Sequence, residues 1–270
     1  MWPIVRVYSE IISVWYTVLR TSMERSHRQS LPKPFQKHLS NTEIQKTSIL
    51  HSFDAVRQQL TLLKKNKSSI NTILDVGCNR GGLVAGLAEY LSANEVYGID
   101  TDPTLRDEAS NSGITVYDIN AENDTFPFAD SSIDLVLSFG LLEHLRYYDN
   151  LFSEVSRVLR DGWFWIATPN LGSWINRFSL LTGHQPRNVE VSSERAVGTL
   201  PVYDDNEFIN HVHAPTYKAL LELFDQYEFD TVNSVPLSPY QRSRLTRLLD
   251  WIFEHRTSWG RRVAVLAKQR

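Results

Sequence analysis

The sequence predicts an α/β fold from about residue 70 to the C-terminus, preceded by helices. Short apolar runs such as 72–76 alternate in this region with helical stretches such as 83–91, a pattern typical of βαβ units around a largely parallel sheet. A glycine-rich turn at 77–82 joins these first two segments. The length of 270 residues suits one α/β domain with appendages.

The composition excludes several classes of protein. A hydrophobic fraction of 42% and a charged fraction of 22% are near the globular average, so disorder is not expected outside the ends. The net charge of -3 supplies no basic field, which argues against a nucleic-acid partner. The single cysteine, Cys78, forms no internal disulfide and matches no zinc spacing, so no metal is expected and the composition suits a cytoplasmic protein.

An amphipathic helix is predicted near the N-terminus, with Pro3 suited to its first turn. The uncharged run from Ile11 to Leu19 has about half of the ~20 residues needed to span a bilayer. Two interpretations remain, a helix docked on the core or over a cofactor pocket, which we favour, and a helix at a membrane surface or a partner. The apolar positions are Val5, Tyr8, Ile12, Trp15 and Leu19.

Residues 31–34, Leu-Pro-Lys-Pro, are expected to form a linker, because two prolines disfavour a helix there. A second helix is predicted after a capping-box pattern at 40–43. We therefore expect an N-terminal helical cap over residues 1–66 and a ligand-binding domain over 67–270. The apolar stripe of the second helix comprises Ile49, Phe53, Val56, Leu60 and Leu63.

The turn after the first predicted strand carries the first functional signal. Glycines at 77, 81 and 82 let the backbone approach a ligand closely. The dinucleotide pattern GxGxxG fails at Asn79, which weakens a nicotinamide interpretation. Asparagine tolerates left-handed backbone better than most residues do, so the turn survives the substitution.

A carboxylate ends the next apolar run at Asp100. It is placed to accept hydrogen bonds from both ribose hydroxyls of a nucleoside. The alternative, a helix-capping aspartate, suits Asp102 better because Pro103 follows it. We therefore favour a binding role for Asp100.

Four further motifs follow in order: Asn120-Ala121-Glu122, Phe126-Pro127-Phe128, the run 133–138, and Glu143-His144-Leu145. Together with the turn at 75–81, they resemble the signatures of the small-molecule branch of class I S-adenosylmethionine-dependent methyltransferases. This branch includes the ubiquinone-biosynthesis O-methyltransferases. The resemblance covers residues 70 to 170 and implies a Rossmann-like three-layer sandwich whose seven-stranded, mostly parallel sheet has an antiparallel last strand.

The resemblance also implies S-adenosylmethionine as the cofactor. In such proteins the position of Asn120 usually carries aspartate and binds the adenine amino group, and the backbone at the position of Ala121 meets the ring edge. Asparagine can still accept that bond through its carbonyl oxygen. The expected cofactor-binding residues are Asp75, Gly77, Cys78, Asn79, Gly81, Asp100, Thr101, Asn120, Ala121 and Phe139.

Methyl transfer to a hydroxyl needs a positioned acceptor and a base, for which histidine suits neutral pH. The candidates are His144, after the fourth predicted strand, and His211 and His213 in a later polar segment. For each, a structural or exposed role is the alternative. The insertion at 171–218 is expected to contribute to the acceptor pocket, through Trp174, Tyr203, Tyr217, Arg177, Arg187, Arg195 and Lys218.

Two other functions stay open at this point. One is a methyltransferase-like protein that binds a ligand or partner without catalysis. The other is a nicotinamide-dependent oxidoreductase, which the absence of a Tyr-x-x-x-Lys pair disfavours. The sequence does not identify the acceptor or the oligomeric state.

Overall fold

The structure is a computed structural model that describes residues 31–39, 49, 52–203, 209–237 and 244–270. The helix expected over the first nineteen residues and the capping box at 40–43 lie outside the described residues. Among the described helices, none is long and apolar enough to cross a membrane.

Seven strands of the described chain form one sheet in the order β3-β2-β1-β4-β5-β7-β6. The first five are parallel, and β7 runs antiparallel to both β5 and β6. This topology confirms the predicted fold, including its antiparallel last strand. The strands are β1 (Thr72–Val76), β2 (Glu95–Ile99), β3 (Thr115–Tyr117), β4 (Ile133–Phe139), β5 (Leu159–Pro169), β6 (Phe229–Leu237) and β7 (Arg262–Gln269).

The central strands β1 and β4 are buried along nearly their whole length because helices cover both faces of the sheet. Successive residues of β1 alternate between two apolar clusters, Ile73 facing one and Leu74 the other. The helices are α1 (Lys33–His38), α2 (Phe53–Lys65), α3 (Gly82–Leu91), α4 (Pro103–Asn111), α5 (Asp149–Val158), α6 (Trp174–Leu181), α7 (Tyr217–Gln226) and α8 (Arg244–Phe253).

Helices α1, α2 and α3 pack on one face of the sheet, and α5 and α7 on the other. A smaller cluster joins α6 to α8, where the Trp174 ring stacks on Phe253 at 5.7 Å. Part of the apolar surface of α8 is not buried, since Leu248 is 55% exposed and Ile252 45% exposed.

The expected linker at 31–34 is wrong in its second half, because α1 begins at Lys33. Pro32 precedes this helix and Pro34 lies in its first turn, where a missing N–H costs nothing. Phe35 of α1 is buried against α3, and a Cβ added at Gly86 would lie 2.9 Å from the Phe35 ring. The described N-terminal residues are therefore close-packed on the sheet domain.

Four residues of the apolar stripe predicted for the second helix are buried in α2, and the fifth, Ile49, is buried but precedes this helix. A buried polar side chain of α2 adds to these contacts. Gln59 donates to the carbonyls of Asn233 and Ala264, each at 3.2 Å, and accepts from the Trp165 indole at 2.9 Å. These bonds fasten α2 to β5, β6 and β7. The boundary at residue 66 stays a prediction, but the described part of the cap shares the core of the domain.

Candidate active site

The glycine-rich turn lies at the carboxyl end of β1, where open α/β sheets bind ligands. Gly77, Asn79 and Gly81 all have positive φ, at 80°, 50° and 75°. The backbone N–H groups of Gly77 and Cys78 donate to the Ile99 carbonyl at 2.8 and 3.1 Å. The turn is thus tied to the end of β2, and Asn79 holds the left-handed geometry expected of it.

Asp100 organises the same turn. Its Oδ2 accepts from the Asn79 N–H at 2.9 Å, and its Oδ1 accepts from the Asp102 N–H at 3.0 Å. A carboxylate offers about four acceptor positions, so about two remain for a ligand. Asp102 caps α4 instead, accepting from the N–H groups of Thr104 and Leu105.

Asp75 is buried in β1 beneath this turn. Burial, together with the charge of Asp100, raises its pKa to about 7. Burial also raises the pKa of the neighbouring Cys78 thiol, and Asp75 adds to that shift. The thiol therefore stays neutral, while the carboxyl changes charge readily near neutral pH.

The other expected cofactor residues surround this centre. Asn120 is exposed, and its Oδ1 already accepts from the Glu122 N–H at 3.0 Å. Ala121 is buried, and the exposed Thr101 uses its carbonyl to accept from Arg106. Phe139 lies at the end of β4 and meets the Trp165 ring edge-on at 5.1 Å.

The structure brings two of the three candidate histidines together beyond the end of β4. The rings of His144 and His211 meet edge-to-face with centroids 5.2 Å apart. His144 Nδ1 donates to the Asn210 carbonyl at 2.7 Å, because a carbonyl can only accept. His213 points elsewhere, stacked on Tyr148 and bonded to the Arg146 carbonyl.

Glu143 joins this pair, a role that the sequence did not indicate. It is 2% exposed, and its Oε1 accepts from Arg262 at 3.0 Å and lies 3.9 Å from His211 Nε2. Its Oε2 accepts from Thr168 at 3.3 Å. Burial lowers the pKa of His211 to about 4 despite the nearby carboxylates, so this imidazole is neutral at pH 7.

A buried ion pair fixes the segment that carries His211. The Glu190 carboxylate accepts from the His211 N–H at 3.0 Å and from the Ile209 N–H, while the Glu190 N–H donates to the His211 carbonyl at 3.1 Å. Arg187 pairs with the same carboxylate at 2.8 Å. The 171–218 insertion thus delivers His211 to the end of β4.

Asn170 anchors the start of that insertion. Its amide donates to the carbonyls of Ser258 and Gly260 at 3.1 and 2.9 Å, and its Oδ1 accepts from the N–H groups of Gly172 and Tyr217. Asn170 is buried, so all of these bonds form away from bulk water. The Thr-Pro-Asn ending of β5 therefore has a structural role.

Several residues expected in the acceptor pocket make internal contacts instead. The Trp174 indole donates to buried Asp250 at 2.8 Å. Arg177 stacks over Trp259 at 4.8 Å, and Arg187 holds Glu190. These aromatic and cationic groups stabilise the insertion, so their residue types alone are weak evidence for an acceptor site.

Residues 74–166 match the family model described as a methyltransferase domain. The sheet order and the antiparallel β7 are those of class I methyltransferases. Residues 74–166 therefore belong to a methyltransferase domain, and the sheet that contains them has the fold of the class I S-adenosylmethionine-dependent methyltransferases. This domain includes every expected cofactor residue and His144, whereas His211 and His213 lie outside the matched range.

Curated relatives of this methyltransferase domain match a limited part of the chain. A ubiquinone biosynthesis O-methyltransferase of Candida albicans is 32% identical over 120 residues, covering 39% of this chain and 34% of that protein. The uncharacterized methyltransferase YodH of Bacillus subtilis is 34% identical over 103 residues, covering 37% and 43%. The chain thus spans less than half the length of the curated relatives it matches.

Solved structures share the methyltransferase fold over a larger part. A methyltransferase from Archaeoglobus fulgidus superposes with a TM-score of 0.54 at 18% identity, covering 84% of this chain and 98% of its own. A Listeria monocytogenes protein described as a putative S-adenosylmethionine-dependent methyltransferase gives 0.54 at 16% identity, covering 80% and 97%. At these identities the likeness shows the fold alone.

Proposed function

We propose that this chain binds S-adenosylmethionine and transfers its methyl group to a small-molecule acceptor, at oxygen. The observation that carries the proposal is the turn at the ends of β1 and β2. Its left-handed Asn79 is held by Asp100, whose carboxylate keeps about two acceptor positions for a ribose.

Charge at the turn supports this cofactor over a nicotinamide dinucleotide. Asp75 is a buried carboxyl with a pKa near 7, so a nearby cation would favour its ionised form. When bound, S-adenosylmethionine supplies a methyl group already activated on a cationic sulfonium. A pyrophosphate is anionic, so it would instead disfavour the ionised form of Asp75.

The acceptor is proposed to lie beyond β4, beside Glu143, His144 and His211. Parallel strands present their carboxyl ends at one edge of the sheet, and β4 pairs directly with β1. His144 is exposed and carries its proton on Nδ1, so Nε2 keeps a lone pair. We propose that this nitrogen takes the proton of an acceptor hydroxyl, because the Nε2 of His213 is already bonded to the Arg146 carbonyl.

Thermal unfolding with added ligands tests the cofactor proposal. A ligand that binds only the native state raises its stability, by about 2.7 kcal/mol at a hundredfold excess over the dissociation constant. We expect S-adenosylhomocysteine to stabilise the protein while NAD and NADP do not. Equal or greater stabilisation by either dinucleotide would overturn the assignment.

Transfer of labelled methyl from S-adenosylmethionine into a fractionated small-molecule extract tests catalysis and acceptor class together. Label in a non-amine, sulfur-free product that hydriodic acid releases as methyl iodide supports O-methylation. Binding of S-adenosylhomocysteine without transfer into any fraction would favour the non-catalytic alternative.

A further inference from the structure

Three side chains with metal-ligating atoms converge at the end of β4. Glu143, His144 and His211 each present one such atom, and these atoms lie within 4.8 Å of one another. A divalent ion bonded to each at about 2.1 Å would hold its ligand atoms about 3 to 4 Å apart. Small side-chain rotations therefore suffice to close the set around an ion.

The orientation of His144 suits a metal ligand. Its Nδ1–H donates to the backbone carbonyl of Asn210 at 2.7 Å. Metal-binding histidines characteristically donate their second ring N–H to a carbonyl or a carboxylate, which fixes the ring and the tautomer. The same bond leaves Nε2 of His144 as the ligand atom.

His211 supplies a second, independent observation. Its side chain is only 10% exposed, Nε2 lies 3.9 Å from Glu143 Oε1, and Nδ1 has no hydrogen-bond partner among the described residues. Buried polar nitrogens are nearly always satisfied. Glu190 forms hydrogen bonds with both the backbone N–H and the backbone carbonyl of His211. The ring is therefore held in position although its Nδ1 makes no hydrogen bond with the described residues.

Arg262 is the competing cation. Its guanidinium donates to Glu143 Oε1 at 3.0 Å and neutralises the carboxylate when no ion is bound. An ion would have to share or take over that oxygen. This competition makes a specific prediction, because removing Arg262 should strengthen metal binding.

We propose that Glu143, His144 and His211 form a binding site for one divalent transition-metal ion of the zinc class. Two imidazoles and a carboxylate favour zinc, iron, cobalt or nickel over magnesium and calcium. Three protein ligands leave an open position. The following step rests on the proposed function. An acceptor hydroxyl would occupy the open position, where the ion would lower its pKa. His144 would then act as a metal ligand instead of a base.

Cobalt is the probe for the test, since its visible absorption reports the coordination geometry. The full chain is stripped with a chelator, dialysed and titrated with Co²⁺, with Zn²⁺ as competitor. We expect one equivalent of Co²⁺ to bind, and Zn²⁺ to displace it from this single site. His144→Ala and Glu143→Gln should each weaken binding by more than about tenfold, and Arg262→Gln should tighten it.

His255→Ala is the matched control, because His255 is exposed on the chain after α8 and remote from these ligands in sequence. It should bind cobalt as the unaltered chain does. His144 is itself exposed, so His144→Ala should fold even if the Glu143 variant does not. Equal cobalt affinity in His144→Ala and the unaltered chain, or no cobalt binding at all, would overturn the proposal.

Binding of S-adenosylhomocysteine is measured in the same samples. If the chain binds S-adenosylhomocysteine but does not bind cobalt, only the proposed metal site is contradicted. A chain that binds cobalt at these residues without the nucleoside contradicts the proposed function and leaves the metal site standing.

Discussion

Replacing Asp100 by alanine removes the acceptor that we assign to the ribose. The carboxylate has about four acceptor positions, and the N–H groups of Asn79 and Asp102 take two of them. Two remain for the two ribose hydroxyls. Each hydrogen bond to a charged group is worth at least about 1.5 kcal/mol, so the pair is worth about 3 kcal/mol, or about 150-fold in the dissociation constant.

Isothermal titration with S-adenosylhomocysteine measures that loss. Asp102→Ala is the matched control, because this neighbouring carboxylate caps α4 through Thr104 and Leu105. It should lower the free energy of unfolding by about 1 kcal/mol and leave the affinity unchanged. Asp100→Asn should fall between the unaltered chain and Asp100→Ala, since its amide oxygen can still accept from Asn79.

Folding of Asp100→Ala is checked by circular dichroism before titration. A folded variant whose dissociation constant stays within about threefold of the unaltered chain would be far from the 150-fold expectation. That result would remove Asp100 from the ribose site and reduce its role to holding the turn.

Three further predictions concern the buried carboxyl of Asp75, the turn at Asn79 and helix α1. Burial raises the pKa of Asp75 in the folded protein to about 7, above its ordinary value of 3.8, so its contribution to stability is lost as pH rises from 3.8 toward 7. Asp75→Asn should therefore raise the melting temperature of the cofactor-free protein at pH 8, and a gain that fails to shrink at pH 5.5 would contradict this. Asn79→Gly should keep the cofactor affinity, because glycine adopts a positive φ readily. Asn79→Val should weaken binding in titration, because a β-branched residue at a φ of 50° costs about 1 to 2 kcal/mol of backbone strain. Equal affinities of the two variants would show that the turn does not need this geometry. Phe35→Ala removes a side chain that is 2% exposed and should lower the free energy of unfolding by about 3 to 5 kcal/mol in chemical denaturation, while Lys33→Ala, at an exposed position of the same helix, should lower it little. Unchanged stability of the Phe35 variant would show that α1 does not contribute to the core.

Local patterns were enough to predict most of the sheet and the cofactor turn. Strand and helix alternation depends on neighbouring residues, and the predicted roles of Asp102 as a cap and Asn79 as a left-handed residue are local properties as well. The prediction of a linker over residues 31–34 was wrong for an equally local reason, because proline disfavours the interior of a helix but fits its first turn. Pro34 occupies that first turn.

The acceptor side was less predictable because its residues meet only through tertiary structure. His144 and His211 are neighbours in space across 67 positions of sequence, and Arg262 reaches Glu143 from the last strand. Each histidine was a candidate, but nothing local indicated that they pair with Glu143. The buried position of Trp174 was not predictable for a related reason, since it depends on where α8 docks.

The buried amide of Gln59 has a consequence for synthesis of the chain. Its carbonyl partners lie 174 and 205 residues further along the sequence. At about 5 to 20 residues per second, a ribosome needs roughly 10 to 40 s to make the intervening chain. During that time β6 and β7 are missing from the side of α2 that packs on them, so we expect the nascent chain to depend on chaperone binding until β7 has emerged.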